Sequence, residues 1–143
     1  MTVIANEASV GLASGPLVAP ILGRVVGMLT ARADCPIDRL DDALLVADAI
    51  SAKAGAFSED GRVNVRVIAR SGSVELRVGP LRPGGAAELV ASAALPGVGN
   101  VLERVADVLE PQGQDGIGDF LLIRLGFDAQ GPTTSDRLEI DVT

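Results

Sequence analysis

The stretch RVNVRVIARSGSVELRV, residues 62–78, decides how the rest of the chain is read. Val63, Val65, Val67 and Ala69 alternate with Arg62, Asn64, Arg66 and Arg70, the period of two that belongs to a strand with one buried face. Ser71-Gly72 supplies a turn, and Val74, Leu76 and Val78 alternate with Glu75 and Arg77 on the way back. The pattern predicts a hairpin over 62–79 with one apolar and one largely basic face. Across that ladder Arg66 and Arg70 are expected to pair with Glu75.

On the N-terminal side the period changes to that of a helix. Pro16 and Pro20 fall where a first turn tolerates them, and Val18, Leu22, Val25 and Leu29 follow at spacings of three and four, which predicts a helix over 17–33. Pro36 opens a second helix, with Asp38, Asp41 and Asp42 near its positive dipole end. Its apolar positions Ile37, Leu40, Leu44, Ala47, Ile50 and Ala54 keep the helical period. Leu45, Val46 and Ala49 widen the stripe, which predicts burial on most sides. A short strand is expected over 8–12.

On the C-terminal side residues 79–85, GPLRPGG, read as a loop on their Gly and Pro content. A short alanine-rich helix follows over 86–95. After Pro96-Gly97-Val98-Gly99, the spacing of Val98, Val101, Leu102, Val105 and Val108 predicts a helix ending near Leu109. Residues 110–118 read as loop, 120–127 as an apolar strand, and 137–142 as a last strand beyond a turn-rich connection. Paired helices between antiparallel-capable strands predict an α+β fold, a two-layer α/β sandwich whose mixed, mostly antiparallel sheet is covered by helices on one face. A doubly wound parallel sheet would need single crossover helices between its strands.

The 143 residues are expected to form one domain, which needs neither metal nor disulfide to hold its core. At 48% hydrophobic and 22% charged the composition is that of a globular domain. A formal charge of −7 argues against a nucleic-acid backbone as partner. The chain contains no His, so any acid or base chemistry falls to carboxylates. The single cysteine, Cys35, has no partner for an internal disulfide and reads as a buried structural residue in a reducing compartment. No apolar run reaches the length of a membrane span, and the first ten residues lack the basic start of a secretory signal. A cytoplasmic location is therefore expected, with no membrane partner.

Over 17–127 the order of elements and several strings resemble the GHKL-type (histidine-kinase-like) ATPase domain, and within it the small bacterial anti-sigma factor kinases. The second helix, DDALLVADAISAKA, stands where that family carries an E-x-x-x-N motif after a run such as L-x-L-A-V-S. The hairpin is followed by GPLRPGG where the family has a D-x-G-x-G loop, and LPGVGNVLERVADVL stands at its G-x-G loop and helix. Residues 128–143 fall outside the resemblance.

The resemblance implies roles residue by residue. Asp48 takes the place of the catalytic Glu, the general base or water positioner, and Ala52 that of the magnesium-binding Asn one turn later on the same helical face. Gly79 takes the place of the Asp that reads the adenine amino group. Gly97, Gly99 and Asn100 stand at the phosphate loop, where backbone N–H groups and a helix dipole can meet an anion. Asp48 keeps a carboxylate one methylene shorter, while Ala52 and Gly79 have lost their ligating groups. The implied cofactor is ATP, held weakly, with no side chain at position 52 for magnesium.

Read so, the chain is expected to be a regulator of the anti-sigma type that acts through protein contacts, its nucleotide binding weakened or lost. The implied partners are a sigma factor or an anti-sigma antagonist, and a second copy of the chain. Two other expectations stand beside it: an active ATP-dependent serine/threonine kinase with Asp48 as base, or a structural, dimerising module without nucleotide.

Overall fold

The computed structural model describes residues 5–114 and 118–128. Alternation of β-branched and charged residues produces β2 (Arg62–Arg70) and β3 (Ser73–Leu81), joined at Ser71-Gly72, where Gly72 takes the positive φ of 88° that the tight turn requires. β1 (Asn6–Ala13) pairs antiparallel with β2, one residue for one from Asn6 opposite Ala69 to Ala13 opposite Arg62. β6 (Val108–Gln114) and β7 (Gly118–Gly126) form a second hairpin, which joins the first through β7 against β3. The result is one antiparallel sheet of five strands in the order β1-β2-β3-β7-β6.

Two helices cover one face. α1 (Val18–Arg32) turns Val18, Leu22, Val26 and Thr30 onto the sheet, and α2 (Ile37–Lys53) turns Ala43, Val46, Ala47 and Ile50. They meet Val63, Val65 and Val67 of β2, Val74, Leu76 and Val78 of β3, and Leu121, Ile123 and Leu125 of β7 in a single core. Burying a side chain of this size contributes about 1.5–3 kcal/mol relative to exposure, so these rows dominate the stability. α1 stops where Asp34 adopts the left-handed φ of 58° and its N–H donates to the Ala31 carbonyl. A 3-10 turn (Ala54–Phe57) leads from α2 to β2. α3 (Gly85–Ser92), a two-residue hairpin of β4 (Ala94–Leu95) with β5 (Gly99–Asn100), and α4 (Val101–Val105) complete the helical layer.

The α+β sandwich, the hairpin and the first two helices agree with the sequence. The C-terminal half needs four corrections. Residues 79–81 are strand, because β3 shifts register between Val78 and Leu81 and continues to pair with Asp119. The helix expected over 86–95 ends at Ser92. The helix expected to run to Leu109 is only five residues long. Ala106 is extended, and the Asp107 N–H donates to the Arg124 carbonyl, which commits the chain to β6. The loop expected over 110–118 is therefore mostly strand, with Pro111 tolerated because β6 is an edge. The strand expected over 137–142 lies outside the described residues. Arg66 pairs with Glu7 on β1 rather than with Glu75, whose opposite residue is Ile68, and Arg70 faces Ser73.

Candidate functional site

The second helix presents Asp38, Asp41, Leu45, Asp48 and Ala52 along one exposed stripe, since spacings of three and four return to the same side of a helix. Beside its second half a cavity of about 170 Å³ opens between α2 and the 92–101 segment. Asp48, Ala52 and Lys53 form one wall, and Ala93, Leu95 and Val101 the other. Leu45 and Leu95 are 45% and 49% exposed, so the mouth carries apolar side chains in water. The widened apolar stripe of α2 had implied burial on most sides. Val46 is buried and Ala49 half-buried, but Leu45 is left uncovered.

The 93–101 segment is held by its own hydrogen bonds. The Val98 N–H donates to the Leu95 carbonyl and the Val101 N–H to the Ala93 carbonyl. Asn100 caps α4 by accepting from the Glu103 N–H at 3.1 Å, and its amide donates to the Val90 carbonyl at 2.7 Å. Gly97 and Gly99 adopt φ of 77° and 94° at an exposed tip. The backbone donors that a phosphate would need are thus largely engaged within the loop, and α4 is one turn long. Asn100 is a clamp between α3 and α4.

The fold brings Asp48 and the two ends of the glycine loop, Leu95 and Val101, to one cleft. Gly79 is elsewhere. It lines a hollow on the opposite face of the sheet, where a Cβ would meet the Phe120 ring and the Asp119 carbonyl oxygen at 2.7 Å each.

The residues do not fit a magnesium nucleotide. Ala52 brings no oxygen beside Asp48, and among the described residues no three acidic or thiol side chains converge as a metal site would require. The cleft is also smaller than the roughly 300–1,000 Å³ typical of small-molecule pockets.

Two features escaped the sequence. Arg39, read only as part of an amphipathic helix, joins three elements: it donates to the Gly126 and Val105 carbonyls and to the carboxylates of Asp42 at 2.9 Å and Asp107 at 2.7 Å. Nothing in the helical period marks such a long-range anchor. Cys35 is half-buried rather than buried; desolvation raises its pKa, partly offset by the nearby Arg39 charge, and its thiol donates to the Pro36 carbonyl at 3.4 Å. A thiol held protonated in this way is a poor nucleophile. Among the described residues no helix is long and apolar enough to cross a membrane.

No protein-family model matches the chain, and no curated protein matches it.

Proposed function

We propose that this protein is a regulator of the anti-sigma type, built on a histidine-kinase-like ATPase fold that has given up effective nucleotide binding, and that it holds its partner through contacts. The observation that carries the reading is the α2 stripe, in which Leu45 stands one turn from both Asp41 and Asp48 at the mouth of a small apolar cleft. Such a surface is complementary to a basic amphipathic helix: an apolar anchor enters the cleft between Leu45 and Leu95, while Lys or Arg side chains of the partner face Asp38, Asp41 and Asp48. The chain order supports the family reading, since two helices, a strand hairpin and a glycine loop that opens a short helix succeed one another as the resemblance implies.

In this reading Asp48 acts as a surface charge rather than a base. With no metal ligand at Ala52 and no adenine acceptor at Gly79, phosphoryl transfer lacks the positioning and charge neutralisation on which it depends.

Calorimetric titration with ATP and ADP, each with and without magnesium, tests the loss of nucleotide. The expected result is no saturable heat; micromolar, magnesium-dependent binding would restore the kinase reading. Titration with purified sigma factors tests the contact. A sigma factor should bind, and Leu45→Glu should abolish binding while leaving the fold intact. Asp48→Ala should weaken it only a fewfold and mostly at low salt, because a rim charge acts chiefly on the association rate. Binding that survives Leu45→Glu would remove α2 from the interface.

A further inference from the structure

The face of the sheet turned away from the helices carries a second set of groups, independent of the α2 cleft. In the row across its middle Ser9, Arg66, Arg77, Leu122 and Glu110 stand opposite one another on successive strands. Two arginines facing each other across a ladder repel unless something neutralises them. Arg66 is neutralised by Glu7. Arg77, on the central strand, has no ion pair among the described residues, and its Nε is buried without a hydrogen-bond partner.

Hollows of about 430 Å³ each adjoin Arg77 and share its side chain and the ring of Phe120. One is further bounded by Gln112 and Gly113, the other by Ser9, Gly11, Asn64 and Arg66, whose charge is taken up by Glu7. The glycines leave the room. A side chain at Gly11 would meet Asn64 Oδ1 at 2.9 Å, and one at Gly79 would displace the Phe120 ring that lies against it. In a chain of net charge −7, no carboxylate is found among the described residues lining either hollow. A concave site with an unpaired guanidinium, amide groups and an aromatic ring is complementary to a small anion that has a planar apolar body.

We propose that this open face binds a small aromatic carboxylate, its carboxylate on the Arg77 guanidinium and its ring against Phe120. The carboxylate meets the guanidinium and relieves the opposition of Arg77 to Arg66. Asn64 on one side and Gln112 on the other bring amide groups, that of Gln112 already donating to Glu110 at 3.4 Å. A free phosphate suits the site less well, since one unpaired guanidinium meets two or more charges and the ring is left without a partner.

The test is heteronuclear NMR of the intact chain with 2-naphthoate as probe, 2-naphthamide as its neutral isostere, and inorganic phosphate. Naphthoate should shift the Arg77 Nε–H and the signals of Ser9, Asn64 and Gln112. Naphthamide should bind roughly tenfold more weakly, the scale of losing a charge-assisted hydrogen bond, and phosphate should leave these signals in place. Arg77→Gln should bring naphthoate down to the amide's affinity. Ser9→Trp, a change at an exposed edge position that crowds the hollow, should weaken binding as well and decides the matter if Arg77→Gln does not fold. No shifts on this face, equal affinity for naphthoate and naphthamide, an equal response to phosphate, or unchanged binding in the folded variants would overturn the proposal. So would signals from this face that move with protein concentration, because the occupant would then be a second copy of the chain.

Discussion

The two faces of the sheet are written in the same strands and obey different rules. Toward the helices β2, β3 and β7 present Val63, Val65, Val67, Val74, Leu76, Val78, Leu121, Ile123 and Leu125, whose side chains are closed off from water. Only at the start of β7 does a carboxylate, Asp119, turn to this side, accepting from the Gly84 N–H. Away from the helices the same strands present Arg66, Arg77, Arg124, Glu75 and Phe120 around the aliphatic Ile68 and Leu122, with gaps at Gly79 and, on β1, Gly11. One face is fixed by exclusion of water, so volume matters in its core. The other is fixed by charge pairing and by what glycine leaves open, so single substitutions there should alter recognition more than stability.

The largest effect that sharpens this contrast is expected from Leu76→Ala. Leu76 is fully buried on the central strand, and removing three of its carbons leaves a cavity that neighbouring strands cannot close. A loss of about 2–5 kcal/mol is expected in urea unfolding, with an unchanged m-value. Glu75→Ala, one residue away on the other face, should cost less than about 0.5 kcal/mol. Equal costs would mean that the outer face is packed too.

Next in size is the comparison of two ion pairs. Arg39 ties α2 to the end of α4, to Asp107 just before β6 and to the end of β7 through two carbonyls and the Asp107 carboxylate, and also pairs with Asp42 on its own helix, its side chain 23% exposed. Arg66 meets only Glu7, and both are more than 40% exposed. Arg39→Gln should lose about 1.5–3 kcal/mol, the range for hydrogen bonds to a charged group. Arg66→Gln should lose about 0–1 kcal/mol, and that small loss should vanish in high salt. Denaturant titrations at low and high ionic strength distinguish the two. If both losses are removed by salt, Arg39 is no anchor.

These contrasts also explain which parts were legible in sequence. Residues 62–78 alternate cleanly because one face is sealed and the other wet, and α1 and α2 repeat every three to four residues for the same reason. The 94–114 segment offers no such signal. Val98, Val101, Leu102, Val105 and Val108 have helical spacing, yet the first stands at an exposed tip, the middle three make one turn of helix, and the last begins an edge strand. Only tertiary hydrogen bonds divide them: Asn100 to Val90, and Asp107 to Arg124. At the candidate site, the placement of Asp48 and Ala52 on one helical face could be read from their spacing. That Gly79 belongs to the opposite face of the sheet follows from the alternation of Val74, Leu76 and Val78, whereas the register shift that turns Leu81 back into the core could not be read, since no residue pattern points to it.

The smallest expected effect probes the sealed face at the one polar residue fully buried among the described residues. Thr30 lies at the last buried position of α1, is fully enclosed, and its Oγ1 has no hydrogen-bond partner. A hydroxyl there gives up its water without compensation, whereas a methyl group of the same shape would not. Thr30→Val should therefore raise stability by about 1 kcal/mol, the low end of the cost of an unsatisfied buried polar group. For a chain of this size that corresponds to a rise in Tm of roughly 2–5 °C. The contrast with Arg77 is the point of the experiment. Both side chains hold a buried polar atom without a partner, but Thr30 is closed in among aliphatic side chains and Arg77 borders open hollows. Removing the first should stabilise the protein in every condition. Replacing Arg77 by Gln should do so only in the absence of an anion, because the naphthoate that suits its guanidinium adds stability by binding the folded state. A lower Tm for Thr30→Val would show that its hydroxyl finds the carbonyl of the preceding turn in solution, and the sealed face would then tolerate polarity as the open one does.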